Sequence, residues 1–324
     1  MDHAQLAALP KAELHLHIEG TLEPELAFTL ARRNGITLPF ASIEDLRSRY
    51  DYRNLQSFLD LYYALTDVLR TAEDFRDLTA AYLARAARDG VRHAEIFFDP
   101  QAHRRRGVPL AAVLEGLQAA VSASRDVSVY LIPCFLRDLG PDAAMETLGE
   151  LLPFAGSFAA VGLDSAEVGY PPELFVDVFA RARAEGLPAV AHAGEEGPPE
   201  YIRQALDLLR VRRVDHGVRC LDDPELVARL ADEQIPLTVC PLSNVRLAVV
   251  PDLAAHPLPR MLDAGLAVTL NSDDPAYFGG YVGEVYARTA ETFGLSAAEV
   301  HRLAETSVRA SFLPPAARQR LLGA

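Results

Sequence analysis

Short β-like runs alternate with longer helical patterns eight times along these 324 residues, and few architectures accommodate that order. The runs are AELHLHI (12–18), RHAEIFF (92–98), VSVYLIPCF (127–135), AAVGLD (159–164), LPAVAHA (187–193), RRVDHG (212–217), IPLTVC (235–240) and LAVTLNS (266–272). Segments such as PELFVDVFARARAEG and PELVARLADEQ separate them, with apolar residues at the i, i+3, i+4, i+7 spacing of an amphipathic helix. Eight such units without a break in composition predict an α/β fold of the (β/α)8 TIM-barrel type, one domain over 1–324. His192 to His216 and His216 to Cys240 are both steps of 24 residues, the length of a compact βα unit. The first connection breaks this rhythm. Residues 20–91 hold the helical patterns FASIEDLRSRYDY, LQSFLDLYYALTDVLR and AEDFRDLTAAYLARAARDG, which predict a helical insertion, or lid, at the C-terminal rim.

Composition narrows the range of partners. Half the residues are apolar, enough for a large core, yet no apolar run reaches the roughly 18 residues of a membrane span. The start, MDHAQLAALPKAE, lacks the layout of a secretory signal. Cys134, Cys220 and Cys240 are an odd, scattered set that suits a reducing cytoplasm better than a disulfide framework. A net charge of −14 argues against nucleic acid or an anionic membrane as partner, and Arg104–Arg106 reads as a solvated loop. A cytoplasmic protein acting on a small molecule is expected.

The polar residues gather where a barrel places chemistry, at the C-terminal ends of strands. In AELHLHIEG, His15 and His17 project to one face while Leu14, Leu16 and Ile18 occupy the other. An isolated His-x-His is as often a hydrogen-bonded pair as a metal site. Here His192 (AHAGEE) ends the fifth strand, His216 (VDHG) the sixth, and Asp273 and Asp274 (LNSDDP) the eighth. Barrel closure brings the first and eighth strands together. Three neutral imidazoles and a carboxylate make a suitable first shell for zinc. The only lysine, Lys11, precedes the first strand, so no lysine can bridge two metals or form a Schiff base at the rim; one metal is expected. Glu195 stands close enough to His192 to reach a substrate rather than the metal, although Glu196 fits the same spacing. His216 can orient or deprotonate a water, and Asp274 is free to accept a hydrogen bond.

The set LPKAELHLHIEGTLEPE, VAHAGEEGPPEYI, RVDHGVR, TVCPLSN and LNSDDPAYFGG resembles the adenosine/adenine deaminase family of amidohydrolases, in the same order and over almost the whole chain. The resemblance implies one zinc held by His15, His17, His192 and Asp273. It also implies that Glu195, rather than Glu196, shuttles a proton to purine N1, that His216 assists the attacking water, and that Asp274 binds N7. The unrelated H-x-E and P-C-x-x-C zinc site of cytidine deaminases is absent.

Substrate choice turns on Glu19. Adenosine-using members of the family carry a shorter Asp there, in an HxHxDG version that holds the ribose 5′-hydroxyl. HLHIEGTLEP, and a GLDSAEVGYPP stretch that departs from their DLAG pattern, look like the adenine branch. Glu19 is then expected near N9, filling space a sugar needs; the alternative is a carboxylate interacting with a helix dipole. The reading is a zinc-dependent adenine aminohydrolase of purine salvage. Its rivals are the same chemistry on adenosine or another 6-aminopurine, and a catalytically idle metal- or ligand-binding barrel.

Overall fold

The computed structural model describes residues 1 and 3–323. Eight strands form: β1 Lys11–His17, β2 Val91–Phe98, β3 Ser128–Leu136, β4 Gly162–Asp164, β5 Val190–Ala193, β6 Arg213–His216, β7 Leu237–Val239 and β8 Val268–Leu270. All pair in parallel, in the orders β1-β2-β3-β4 and β5-β6-β7-β8. Two isolated bridges join the halves, Val161 with Ala189 and Leu16 with Asp273. At the second seam the amide of His17 donates to the Asp273 carbonyl (3.0 Å) and the amide of Asp273 to the His15 carbonyl (3.2 Å). The expected barrel therefore closes, and its closing bonds tie the His-x-His strand to the Asp-Asp turn.

Strand alternation divides the two surfaces of β1. Ala12 and Leu14 pack outward on Val308, and Leu16 and Ile18 enter the main core, while the imidazoles face the barrel axis. The interior below the rim is polar. The Arg213 guanidinium pairs with the Glu95 carboxylate and donates to the Leu14 carbonyl at 3.0 Å, all within the buried centre. Lys11 lies at the opposite end from the Asp273 seam, its ammonium donating to the carbonyls of Leu6, Leu9 and Asp89.

The long first connection has two parts. Helices Pro24–Arg33, Ile43–Ser48 and Leu55–Thr66 precede helix Ala72–Arg88, which packs along helix Leu110–Ala123 and against β2. That last helix is the ordinary barrel crossover, so the extra segment ends before residue 72 rather than at 91. Reciprocal capping boxes, Asn54 with Ser57 and Thr71 with Asp74, set the starts of the two helices by satisfying amides that have no intrahelical acceptor. Among the described residues, no helix is long and apolar enough to cross a membrane.

Candidate active site

A cavity opens at the C-terminal rim. Its floor is formed by His17, His192, His216, Glu195, Asp273 and Asp274. Its roof is helix Leu55–Thr66, whose Leu55, Phe58, Leu59 and Tyr62 recur at helical spacing on one face.

The ligating atoms of His15, His17, His192 and Asp273 lie within 4.8 Å of one another, all buried. Asp273 Oδ1 is 3.2 Å from His15 Nε2 and 3.4 Å from His17 Nε2, and the Nε2 atoms of His17 and His192 are 3.2 Å apart. Beneath the rings, Phe97 packs against all three imidazoles and keeps them upright. The tautomer of His15 is set from behind. The Thr238 hydroxyl donates to Asp215 (2.8 Å), so it accepts from His15 Nδ1–H (3.0 Å), leaving the lone pair on Nε2. The other oxygen of Asp215 lies 3.8 Å from His192 Nδ1, and Asp164 stands 3.5 Å from His17 Nδ1. His15 Nε2 itself has no hydrogen-bond partner although fully buried. Convergent nitrogens, a carboxylate and an unsatisfied buried acceptor are what a cation would complete.

Electrostatics favours the ligating forms of His17, His192 and Asp273, while at His15, against the downward push of burial, Asp273 raises the imidazole. Burial lowers the His17 imidazole to about 4, and burial with the neighbouring imidazoles drives His192 well down. Against the upward push of burial, His15 holds Asp273 well below the usual carboxylate range. A second grouping, His216 with Cys240 and Asp273, is weaker, because burial keeps the Cys240 thiol protonated. We expect Asp215→Asn to cut metal affinity about 10–100-fold with the fold retained, measured by chelator competition. Unchanged affinity would remove Asp215 from the support of the cluster.

Glu195, His216 and Asp274 line the same cavity. Glu195 Oε2 is 3.6 Å from His216 Nε2, which in turn is 3.9 Å from Asp273 Oδ2. Burial, then Asp273, raises the Glu195 carboxyl well above its ordinary value, favouring the protonated acid. Burial lowers His216 to about 3, keeping it a base. Asp274 is also pushed up by burial and Asp273. Gly20 makes room for it: a Cβ there would stand 2.0 Å from Asp274 Oδ1. His216 and Asp273 both adopt left-handed backbone (φ 63° and 64°), strain that turns these side chains over the rim.

Glu19 differs from expectation. It is fully buried but does not line the cavity. Continued strand alternation would aim it with His15 and His17, but the chain enters a 3-10 turn over Glu19–Thr21, with Ile18 already helical. The turn swings the carboxylate onto His103 Nε2 (2.6 Å) and the Asp99 amide (3.2 Å), at the start of helix Pro100–Arg105. That is nearer to the helix-terminus alternative than to contact with a base. Sequence reasoning missed Asp99 and Asp164, buried cavity-lining carboxylates at the ends of β2 and β4. The signal was present: FFDP repeats the strand-end Asp-Pro of SDDP, and GLD ends its strand on a carboxylate. It also missed Asp215, which shares the inward face of β6 with Arg213 (3.6 Å).

A parallel eight-stranded barrel carrying this cluster at its C-terminal rim defines a TIM-barrel amidohydrolase. The family model described as adenosine deaminase matches residues 10–324, and the chain belongs to that family. It is 60% identical over 311 residues to the adenine deaminase of Streptomyces coelicolor, covering 95% of this chain and 92% of that protein. Identity to the adenine deaminase of Bordetella avium is 60% over 306 residues, covering 94% and 97%. The crystal structure of adenine deaminase from Arthrobacter aurescens superimposes with a TM-score of 0.96 at 55% identity, covering 98% of each chain. An amidohydrolase from Burkhoderia ambifaria, solved with bound zinc, gives a TM-score of 0.89 at 32% identity, covering 99% of this chain and 91% of that one. The family is metal-dependent, and the buried His/Asp cluster is one that can hold the ion.

Proposed function

We propose that this protein hydrolyses adenine to hypoxanthine and ammonia in purine salvage, as a cytoplasmic enzyme with one zinc ion held by His15, His17, His192 and Asp273. The observation that carries the reading is the rim cavity, in which an acid, a base and a third carboxyl surround a four-ligand cluster under an apolar roof. The names of the relatives supply the substrate.

When bound, zinc supplies the Lewis acidity that makes water a competent nucleophile near neutral pH. The residues do the rest. His216 orients the attacking water and takes its proton. Glu195 delivers a proton to N1 as C6 becomes tetrahedral, relieving the charge that attack pushes into the ring. Asp274 donates to the N7 lone pair, a bond that strengthens as the ring gains electron density. Departure of ammonia needs one more proton on the amine, which His216 returns, and the proton left on the C6 oxygen passes to Glu195 as the carbonyl forms, restoring the acid. The apolar roof keeps bulk water from these transfers. Glu19 acts indirectly, fixing Asp99 at the cavity wall through its amide.

The test is chemical. Purified protein should carry about one equivalent of zinc per chain and release equimolar ammonia and hypoxanthine from adenine. Chelation should abolish turnover and zinc should restore it. Two required metals, or no ammonia from adenine, would contradict the reading.

A further inference from the structure

Glu195 is the acid in the reading above, yet almost nothing holds its side chain. Its Oε1 is buried without a hydrogen-bond partner, and Oε2 is 3.6 Å from His216, beyond hydrogen-bond reach. The position of the carboxyl is therefore decided by the backbone beneath it.

That backbone is gripped by a single side chain. Glu167 Oε1 accepts from the amide of Gly194 (2.6 Å), while Oε2 accepts from the amides of Glu195 (3.1 Å), Glu196 (2.9 Å) and Gly197 (2.7 Å). Four successive N–H groups form a concave anion nest, and the carboxylate inside it is 1% exposed. Gly197 is required for the fit: a Cβ there would lie 2.7 Å from Glu167 Oε1. The acceptor comes from a different βα unit. Glu167 belongs to the loop after β4, which leaves the barrel through a left-handed Ser165 (φ 71°). Arg137 braces both sides, its Nε donating to the Tyr170 carbonyl and its Nη1 to the His192 carbonyl, each at 2.8 Å.

We propose that Glu167 is the positioning residue for Glu195, setting the acid against N1 by clamping the 194–197 turn from the neighbouring loop. A proton donor works only within a narrow distance of its acceptor, and a displacement of about 1 Å costs on the order of 10²-fold. The inference rests on the assignment of Glu195 as the acid, and the experiment separates the two. An amide in place of the Glu167 carboxylate sets an NH2 group against N–H donors and loosens the turn.

The measurement compares Glu167→Gln, Glu195→Gln and the double variant for kcat, KM for adenine and zinc content. Glu167→Gln should lower kcat about 10–100-fold, with KM within about threefold and zinc retained. In the Glu195→Gln background the same change should cost less than about twofold more, because nothing is left to position. A structural role alone would multiply the two losses, or act through lost zinc, and either result overturns the proposal. So does an unchanged kcat in Glu167→Gln. Full turnover by Glu195→Gln would instead overturn the acid assignment, and the inference with it. Should Glu167→Gln fail to fold, Gly197→Ala pushes on the same contact from the other side. It should show the same kcat-selective loss, and full turnover in that variant overturns the proposal.

Discussion

Glu195→Gln should lower kcat for adenine by about 10²–10⁴-fold while the zinc content stays at one equivalent. The substitution keeps the volume of the side chain and removes only its ability to carry the proton. Glu195 is not among the four clustered metal-ligating residues, so the ion has no reason to leave. Its carboxyl is buried, faces His216, and is driven toward the protonated form by burial and by Asp273. Because the proton moves only as C6 is attacked, the loss should fall on kcat rather than on KM. His216→Ala should also keep the metal, since His216 is not one of the four clustered ligands and its Nε2 stands 3.9 Å from Asp273 Oδ2. Loss of zinc in Glu195→Gln, or turnover within a few-fold of wild type, would break the division between ligands and acid.

The second large effect is discrimination against adenosine by at least about 10²-fold in kcat/KM. Adenine and adenosine share C6, N1 and N7, so the cluster, Glu195 and Asp274 cannot tell them apart. Selection must come from the walls on the N3 and N9 side. Leu55, Phe58, Leu59, Tyr62 and Tyr63 line the cavity, together with Asp99 and Asp164. We expect the N9 side of the base to face Asp99 and Asp164, where free adenine offers an N9–H to an acceptor and adenosine offers none. An unsatisfied buried polar group costs about 1–3 kcal/mol, more if it is charged. Glu19 contributes by holding the Asp99 amide at 3.2 Å. Glu19→Asp shortens that arm and should erode the preference; an unchanged ratio would make Glu19 a helix-terminus residue only.

The barrel was legible because parallel strands covered on both faces leave apolar runs bounded by helical periodicity, and all eight runs became strands. Their lengths were not. β4, β7 and β8 shrink to three residues each. Of the eight residues singled out, seven converge: His15 joins the cluster and the other six line the cavity. Strand-end position picked out the histidines and the Asp273–Asp274 pair, whereas the choice of Glu195 over Glu196 came from the family resemblance. Glu19 escaped because alternation does not survive a 3-10 turn, and sequence spacing carries no sign of where such a turn starts. Glu167 escaped for another reason. It lies in a loop, and the amides it binds belong to a different strand's exit, a pairing visible only after the barrel has closed.

The account is tested most directly by kcat/KM for adenine and adenosine, measured side by side on one zinc-loaded preparation by ammonia release. It predicts efficient turnover of adenine and at least about a 10²-fold lower value for adenosine. Equal values, or a preference for adenosine, would contradict it.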